Sequence, residues 1–238
     1  MKGKIIAIIP ARSGSKGISM KNIAKLAGKP LIYYSIKECL KSKFIDRVIV
    51  STDSKKIAEI ARKYGAEVPF IRPDDIAKDD TPDLPVFIHA LKFLEEKEGY
   101  KPEYVVNLRP TCPLRSVEDI DNAVSKILNE KCDSVRTIIK VHQHPYWMVE
   151  KEEDKLFAFM KNIDRDKYYQ RQLLPDLFIT NGGVDVMKSS NILEKNSLYG
   201  KDIRGVIMPS NRSVDIDTTL DLKLAELLLK KSEGESEY

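Results

Sequence analysis

Apolar residues along this chain alternate between short unbroken runs and helical spacings. Residues 5–9 are a continuous apolar run, the pattern of a strand covered on both faces. Leu31, Tyr34, Ile36 and Leu40 follow at helical spacing, with Pro30 suited to that helix's first turn. Residues 48–51 predict a second strand and residues 55–64 its return helix, closed by Gly65 as a C-terminal cap. Residues 68–71 predict a third, short strand. A helix over 84–96 and a central strand over 104–108 come next. Ser116 with Asp119 three residues on forms a capping pattern before a helix reaching about residue 129, and residues 135–139 make another strand. This alternation predicts an α/β fold, a mostly parallel sheet with helices on both faces.

From residue 141 to 178 the rhythm breaks. The segment holds Tyr146, Trp147, Phe157, Phe159, Tyr168 and Tyr169 among many charges, and residues 148–161 predict a hairpin around the acidic turn 152–155. We read 141–178 as a small inserted lobe whose exposed aromatics suggest a partner surface. The main domain, residues 1–140, resumes over 179–231 with strands near 184–187 and 206–208 and a last helix over 220–231. Residues 232–238 are polar and expected to be disordered.

Bulk properties narrow the function classes. A length of 238 residues suits one large α/β domain with such a lobe. The net charge of +4 is spread along the chain, whereas a nucleic-acid partner would need clustered basic residues. No stretch is long and apolar enough to span a membrane, and the N-terminus lacks a signal-peptide pattern, so a cytoplasmic location with no membrane partner is expected. Cys39, Cys112 and Cys132 are far apart and odd in number, and no pair has metal-ligand spacing, which points to reduced thiols.

The candidate chemistry begins where the first strand empties into a Gly/Ser loop carrying Arg12, Lys16 and Lys21. Gly14 and Gly17 allow tight turning and close approach to a ligand. Ser13 and Ser15 add hydroxyl donors, and successive amides make an anion-binding concavity. The loop is not a Walker A sequence, because Lys16 precedes Gly17 and no Ser or Thr directly follows the lysine as a magnesium ligand, and it lacks the dinucleotide pattern Gly-x-Gly-x-x-Gly. Near the other end, Asp215 and Asp217 would point to one face of a strand and could hold one hard cation. The structural alternative is that Asp217 or Thr218 caps the last helix with Asp221, which leaves Asp215 unexplained. Residues 108–115 follow a central strand, where ligand crevices form in open α/β sheets. Arg109, Thr111 and Arg115 there offer donors to an acidic substrate, although a solvated turn is the expectation for Arg115. Residues 72–81 read as an acidic loop in which only Arg72 stands out. Arg171 reads as an exposed helix position and Gly182–Gly183 as a turn. His142 and His144 lack ligand-like neighbours, and a structural role is expected for His144.

Residues 9–22 also match, at every fixed position, the motif Ile-Pro-Ala-Arg-x-Gly-Ser-Lys-Gly-x-x-x-Lys-Asn of the acylneuraminate cytidylyltransferases, the CMP-sialic acid synthetases. The chain resembles that family in five ordered motifs over about residues 4–229. The resemblance implies a Rossmann-like domain whose lobe dimerises, hence a homodimer. It implies CTP and an acidic, sialic-type nonulosonic sugar as substrates, giving a CMP-sugar and pyrophosphate. Arg12, Lys16 and Lys21 would be the catalytic cations. Ala11, Arg12, Ser13, Gly14, Ser15, Asn22, Arg72 and Thr81 would meet the nucleotide. Arg109, Thr111, Arg171 and Asn181 would meet the sugar, and Asp215 and Asp217 would hold Mg²⁺, with Mn²⁺ as a substitute. Residues 72–81 are one residue longer than the family's stretch. At 109–115 the family usually carries Gln-Pro-Thr-Ser-Pro-Leu-Arg, so Arg109 replaces a glutamine facing the sugar and Cys112 replaces a serine. Arg109 thereby keeps open another nucleotide, such as GTP, or a sugar 1-phosphate. A regulatory module that binds nucleotide without catalysis is the remaining class, against which Lys21, Asp215 and Asp217 argue.

Overall fold

In the computed structural model, which describes residues 3–15 and 17–232, the first strand, β1 (Ile5–Pro10), is buried along almost its whole length. Alternate side chains point to opposite faces of the sheet. Ile5, Ala7 and Ile9 therefore enter one apolar layer, and Ile6 and Ile8 enter the other. A two-stranded ribbon, β2 (Lys25–Leu26) and β3 (Lys29–Pro30), leads to α1 (Leu31–Lys41). Pro30 sits at the N-cap, one residue before the helix, rather than in its first turn. Next come β4 (Arg47–Ser51) and α2 (Lys55–Lys63), the latter capped by the Ser54 side chain and closed by Gly65 at φ +93°. The helix α3 (Asp83–Glu98), the strand β5 (Tyr104–Asn107) and the helix α4 (Val117–Glu130) follow, and Ser116 and Asp119 form the expected reciprocal capping box.

Residues 68–71 do not form the expected strand. A single parallel bridge joins Glu67 to Ile49, and Pro69, lacking an N–H, cannot continue a ladder. The remaining elements are β6 (Ser134–Lys140), β7 (Val149–Glu152), β8 (Lys155–Ala158), β9 (Phe178–Lys188), α5 (Ser189–Leu193), β10 (Ile203–Ile207) and α6 (Thr219–Ser232). The main sheet has the order β10-β6-β9-β5-β1-β4 and is parallel except for β9, which is antiparallel to both neighbours. Helices α1, α2 and α4 cover one face, while α3 and α5 cover the other. The C-terminal helix packs Ala225 onto a smaller cluster with Leu26, Leu31, Tyr34 and Ile216.

Between β6 and β9 the chain leaves the sheet and returns to it at adjacent points, because Lys140 and Phe178 are register partners. The excursion carries the antiparallel hairpin β7–β8, turning through Glu153 at φ +53°. Trp147 donates its indole N–H to the Tyr168 carbonyl at 2.7 Å, and Tyr146 packs edge-on against both His144 and Tyr168. Phe157, Phe159 and Tyr169 stay exposed. The tail expected after the last helix, residues 233–238, lies outside the described residues. Among the described residues no helix is long and apolar enough to cross a membrane.

Candidate active site

The loop after β1 is pinned from several sides. Ala11 is buried and donates its N–H to the Ser51 carbonyl at 2.9 Å. Ser13 gives both its N–H (2.8 Å) and its hydroxyl to the Asp53 carboxylate, so its donors anchor the loop. The Asn22 amide donates to the Arg12 carbonyl at 2.8 Å. A Cβ on Gly17 would run into the Asp217 carbonyl oxygen, so glycine is required there by close approach of two backbones. A Cβ on Gly14 would meet only ordinary contacts. Lys16 lies outside the described residues.

This loop forms one wall of a cleft of about 470 Å³, lined also by Lys21, Arg72, Arg109 and Asp217. Ser15, Asn22, Thr81 and Thr111 line it too, whereas Ala11, Ser13 and Gly14 do not. Arg12 pairs with Asp79. Lys21 Nζ reaches Asp217 Oδ1 at 2.8 Å and the Ile216 carbonyl at 3.0 Å, joining the two ends of the chain. Arg72 is only 4 % exposed and donates to the Ser51 hydroxyl at 3.1 Å. Burial pulls its pKa down to about 10, against the pull of Asp53 and Asp83.

After β5, Arg109 Nη2 donates to Asp83 Oδ2 at 2.6 Å, and Nη1 lies 3.8 Å from the buried Asp185. Burial opposes its charge, but Asp83 and Asp185 outweigh burial and raise its pKa above the ordinary arginine value. Arg115 is not solvated as expected. It is 2 % exposed and donates to the Ser35 hydroxyl at 2.7 Å and to the Arg109 carbonyl, so it holds the loop from below. Burial lowers its pKa.

The stretch containing Asp215 and Asp217 is an extended passage, not a strand. The Ile216 N–H donates to the Thr111 carbonyl at 2.8 Å, and the Lys21 contacts hold the stretch from the other side. Ile216 is fully buried, so the flanking carboxylates both turn outwards. Thr218 and Asp221 together form the cap of α6, at 2.8 Å and 3.3 Å, so Asp217 is not the capping residue. Asp217 opens into the large cleft, and Asp215 into an adjoining cleft of about 320 Å³.

A family model described as "Cytidylyltransferase" matches residues 6–200. The chain belongs to the cytidylyltransferase family. This cytidylyltransferase is 33 % identical, over 95 % of its length and 97 % of the relative's, to the CMP-N,N'-diacetyllegionaminic acid synthase of Legionella pneumophila. It is 31 % identical to the N-acylneuraminate cytidylyltransferase of Escherichia coli, over 97 % of this chain and 53 % of that one. The fold is also that of a CMP:2-keto-3-deoxy-manno-octonic acid synthetase solved with CTP, with TM-score 0.71 and 14 % identity over 96 % of this chain and 99 % of the other.

In this cytidylyltransferase Asn181 belongs to a bulge of β9 in which residues 181–184 stand opposite Thr137 alone. Asn181 Oδ1 accepts from the Thr137 hydroxyl at 2.6 Å and the Gly183 N–H at 3.1 Å, which fixes the bulge beside Arg109. Arg171 does not join the cleft. It lies on the lobe, 3.5 Å from the His142 carbonyl, in a separate hollow of about 290 Å³. His144 is structural, as expected: its Nδ1 accepts from the Tyr146 N–H at 3.2 Å, so Nε2 donates to the Pro175 carbonyl at 3.2 Å. Asp53, Asp79, Asp83 and Asp185 are the counter-charges that hold the site's donors, and none of them stands out in the sequence as a site residue. For Asp53 a signal existed, since it lies two residues beyond the second strand, at the end of a parallel sheet where ligands bind.

Asp215 and Asp217 supply hard oxygen donors, and among the described residues no group of three or more His, Cys, Asp or Glu side chains converges. That donor set fits Mg²⁺, which takes one or two carboxylates and completes its shell with phosphate oxygens and water.

Proposed function

We propose that the protein joins CTP to a nonulosonic acid of sialic type, giving the CMP-sugar and pyrophosphate. The observation that carries this reading is the meeting of Lys21 with Asp217 at a junction of two clefts, one lined by Asp217 and the other by Asp215. The triphosphate would take the larger cleft and the sugar the adjoining one. The anomeric hydroxyl oxygen attacks the α-phosphorus and gives its proton to water, the bond from that phosphorus to the bridging oxygen breaks, and pyrophosphate departs with its electron pair. Such transfer requires mainly alignment and charge neutralisation. Arg12, Lys21 and Arg72 line the larger cleft and would meet the phosphates, with Lys16 beside them in sequence. When bound, Mg²⁺ on Asp215 and Asp217 would neutralise phosphate charge.

Two further points support the acceptor class. The charge of Arg109 is already met by Asp83 and Asp185, which suits a singly charged carboxylate better than the doubly charged phosphate of a sugar 1-phosphate. The relatives' own names point to acylated nonulosonic acids. Arg171, remote from the cleft of its own chain, would serve the site of a second copy in a homodimer.

Incubation with CTP, Mg²⁺ and a panel of nonulosonic acids that includes N-acetylneuraminate, followed by pyrophosphate release, tests the proposal. Turnover is expected, and its absence with every nonulosonic acid would overturn the reading. Asp215→Ala should lower kcat by about 100-fold or more while circular dichroism stays unchanged. An active variant would remove Asp215 from the metal site.

A further inference from the structure

The cleft beyond Arg109 contains a second guanidinium, that of Arg136 on β6. Arg136 is held rigidly: its Nε donates to Asp185 at 2.8 Å, and its guanidinium carbon lies 4.0 Å from the centre of the Tyr199 ring. Asp185 is itself 1 % exposed and accepts from the Tyr199 hydroxyl at 3.3 Å. The two terminal nitrogens of Arg136 make no hydrogen bond among the described residues, and the side chain lines the cleft.

Charge in this group is already balanced. Arg109 and Arg136 face Asp83 and Asp185, two cations against two anions. The wall therefore presents strong donors without surplus positive charge. Beside it, Ile139 and Ile179 are register partners across β6 and β9, and both line the same cleft. Ile179 is 54 % exposed. Donors without net charge next to an aliphatic pair, one exposed and one half-buried, complement an amide carbonyl followed by a methyl group. A carboxylate would find no excess countercharge there, and a hydroxyl would leave the aliphatic surface in water.

We propose that Arg136, with Ile139 and Ile179, recognises an N-acyl substituent of the acceptor sugar: the guanidinium donates to the acyl carbonyl and the isoleucines cover its alkyl end. This specificity site rests on the reading of the protein as a nonulosonate cytidylyltransferase.

The test uses the full chain with saturating CTP and Mg²⁺. It compares N-acetylneuraminate with the analogue bearing a hydroxyl in place of the acetamido group, with kcat and KM obtained separately from pyrophosphate release. The wild type is expected to favour the acylated acceptor by about tenfold or more in kcat/KM, since an unmatched charged donor is costly to leave unpaired. Arg136→Lys keeps the charge facing Asp185 but loses the planar donor fork. It should cut that preference at least about fivefold, through KM for the acylated sugar, with KM for CTP unchanged. Ile179→Ser, at an exposed position, should also reduce the preference, and it decides the matter alone if Arg136→Lys does not fold. A wild type without preference, or a preference that survives both substitutions, overturns the proposal while leaving the parent reading standing. Failure of the wild type to turn over any nonulosonic acid overturns both.

Discussion

Two of the three thiols lie deep in the molecule next to Arg115. Burial pushes Cys39 from 9.0 up to about 12 and Cys112 up to about 11, with Arg115 pulling the other way in each case. An acid whose pKa is raised by folding keeps a proton that the unfolded chain releases, so between about pH 9 and 11 the unfolded state binds fewer protons and stability falls as pH rises. At pH 10 each such thiol lowers stability by on the order of 1 kcal/mol. Urea unfolding at pH 8 and pH 10 should therefore show the wild type losing on the order of 1 kcal/mol more than Cys39→Ala, and equal losses would mean that Cys39 ionises freely in the fold. At this scale Cys39 was readable as a core residue because it sits on an apolar helical pattern. Arg115 was not, because its charge suggested solvent while its partners are a hydroxyl 80 residues earlier and a carbonyl of its own loop.

Among elements, the loop after β1 depends on its contact with the passage before α6. Gly17→Ala places a methyl group against the Asp217 carbonyl, so either the loop or the carboxylate pair must shift. Displacements of about 1 Å at reacting groups cost about 100-fold in rate, and kcat/KM should fall by that order with the far-UV spectrum unchanged. Full activity would show that loop and carboxylates are not mechanically joined. Strands covered on both faces were legible, since double burial leaves an unbroken apolar run. The bulge of β9 was not, because it exists only in register with Thr137 of β6. The failed strand at 68–71 shows the same limit: its apolar residues were suitable, but Pro69 removed the N–H a ladder needs.

For the whole molecule, the lobe between Lys140 and Phe178 is the separable part. Its two ends are register partners, and the Val141 N–H meets the Leu177 carbonyl at 3.0 Å. Replacing residues 142–176 by a short Gly-Ser turn should leave a cooperatively unfolding core that light scattering finds monomeric and that no longer releases pyrophosphate. The intact chain is expected to be a dimer, and a monomeric wild type would end the dimer reading and the role of Arg171 within it.

The βα rhythm, the cationic Gly/Ser loop and the paired aspartates are all written along the chain. Those features are local: apolar spacing sets the elements, and residue type at close spacing sets the chemistry on offer. Only the tertiary structure decided which donors remain available to a ligand. Ser13 and Asn181 turned out to be engaged inside the protein, and Arg109 to be matched by two acids. Arg136 kept two nitrogens unengaged at the edge of a cleft. Hydrogen bonds and ion pairs of that kind form between residues distant in sequence, and no spacing along the chain records them.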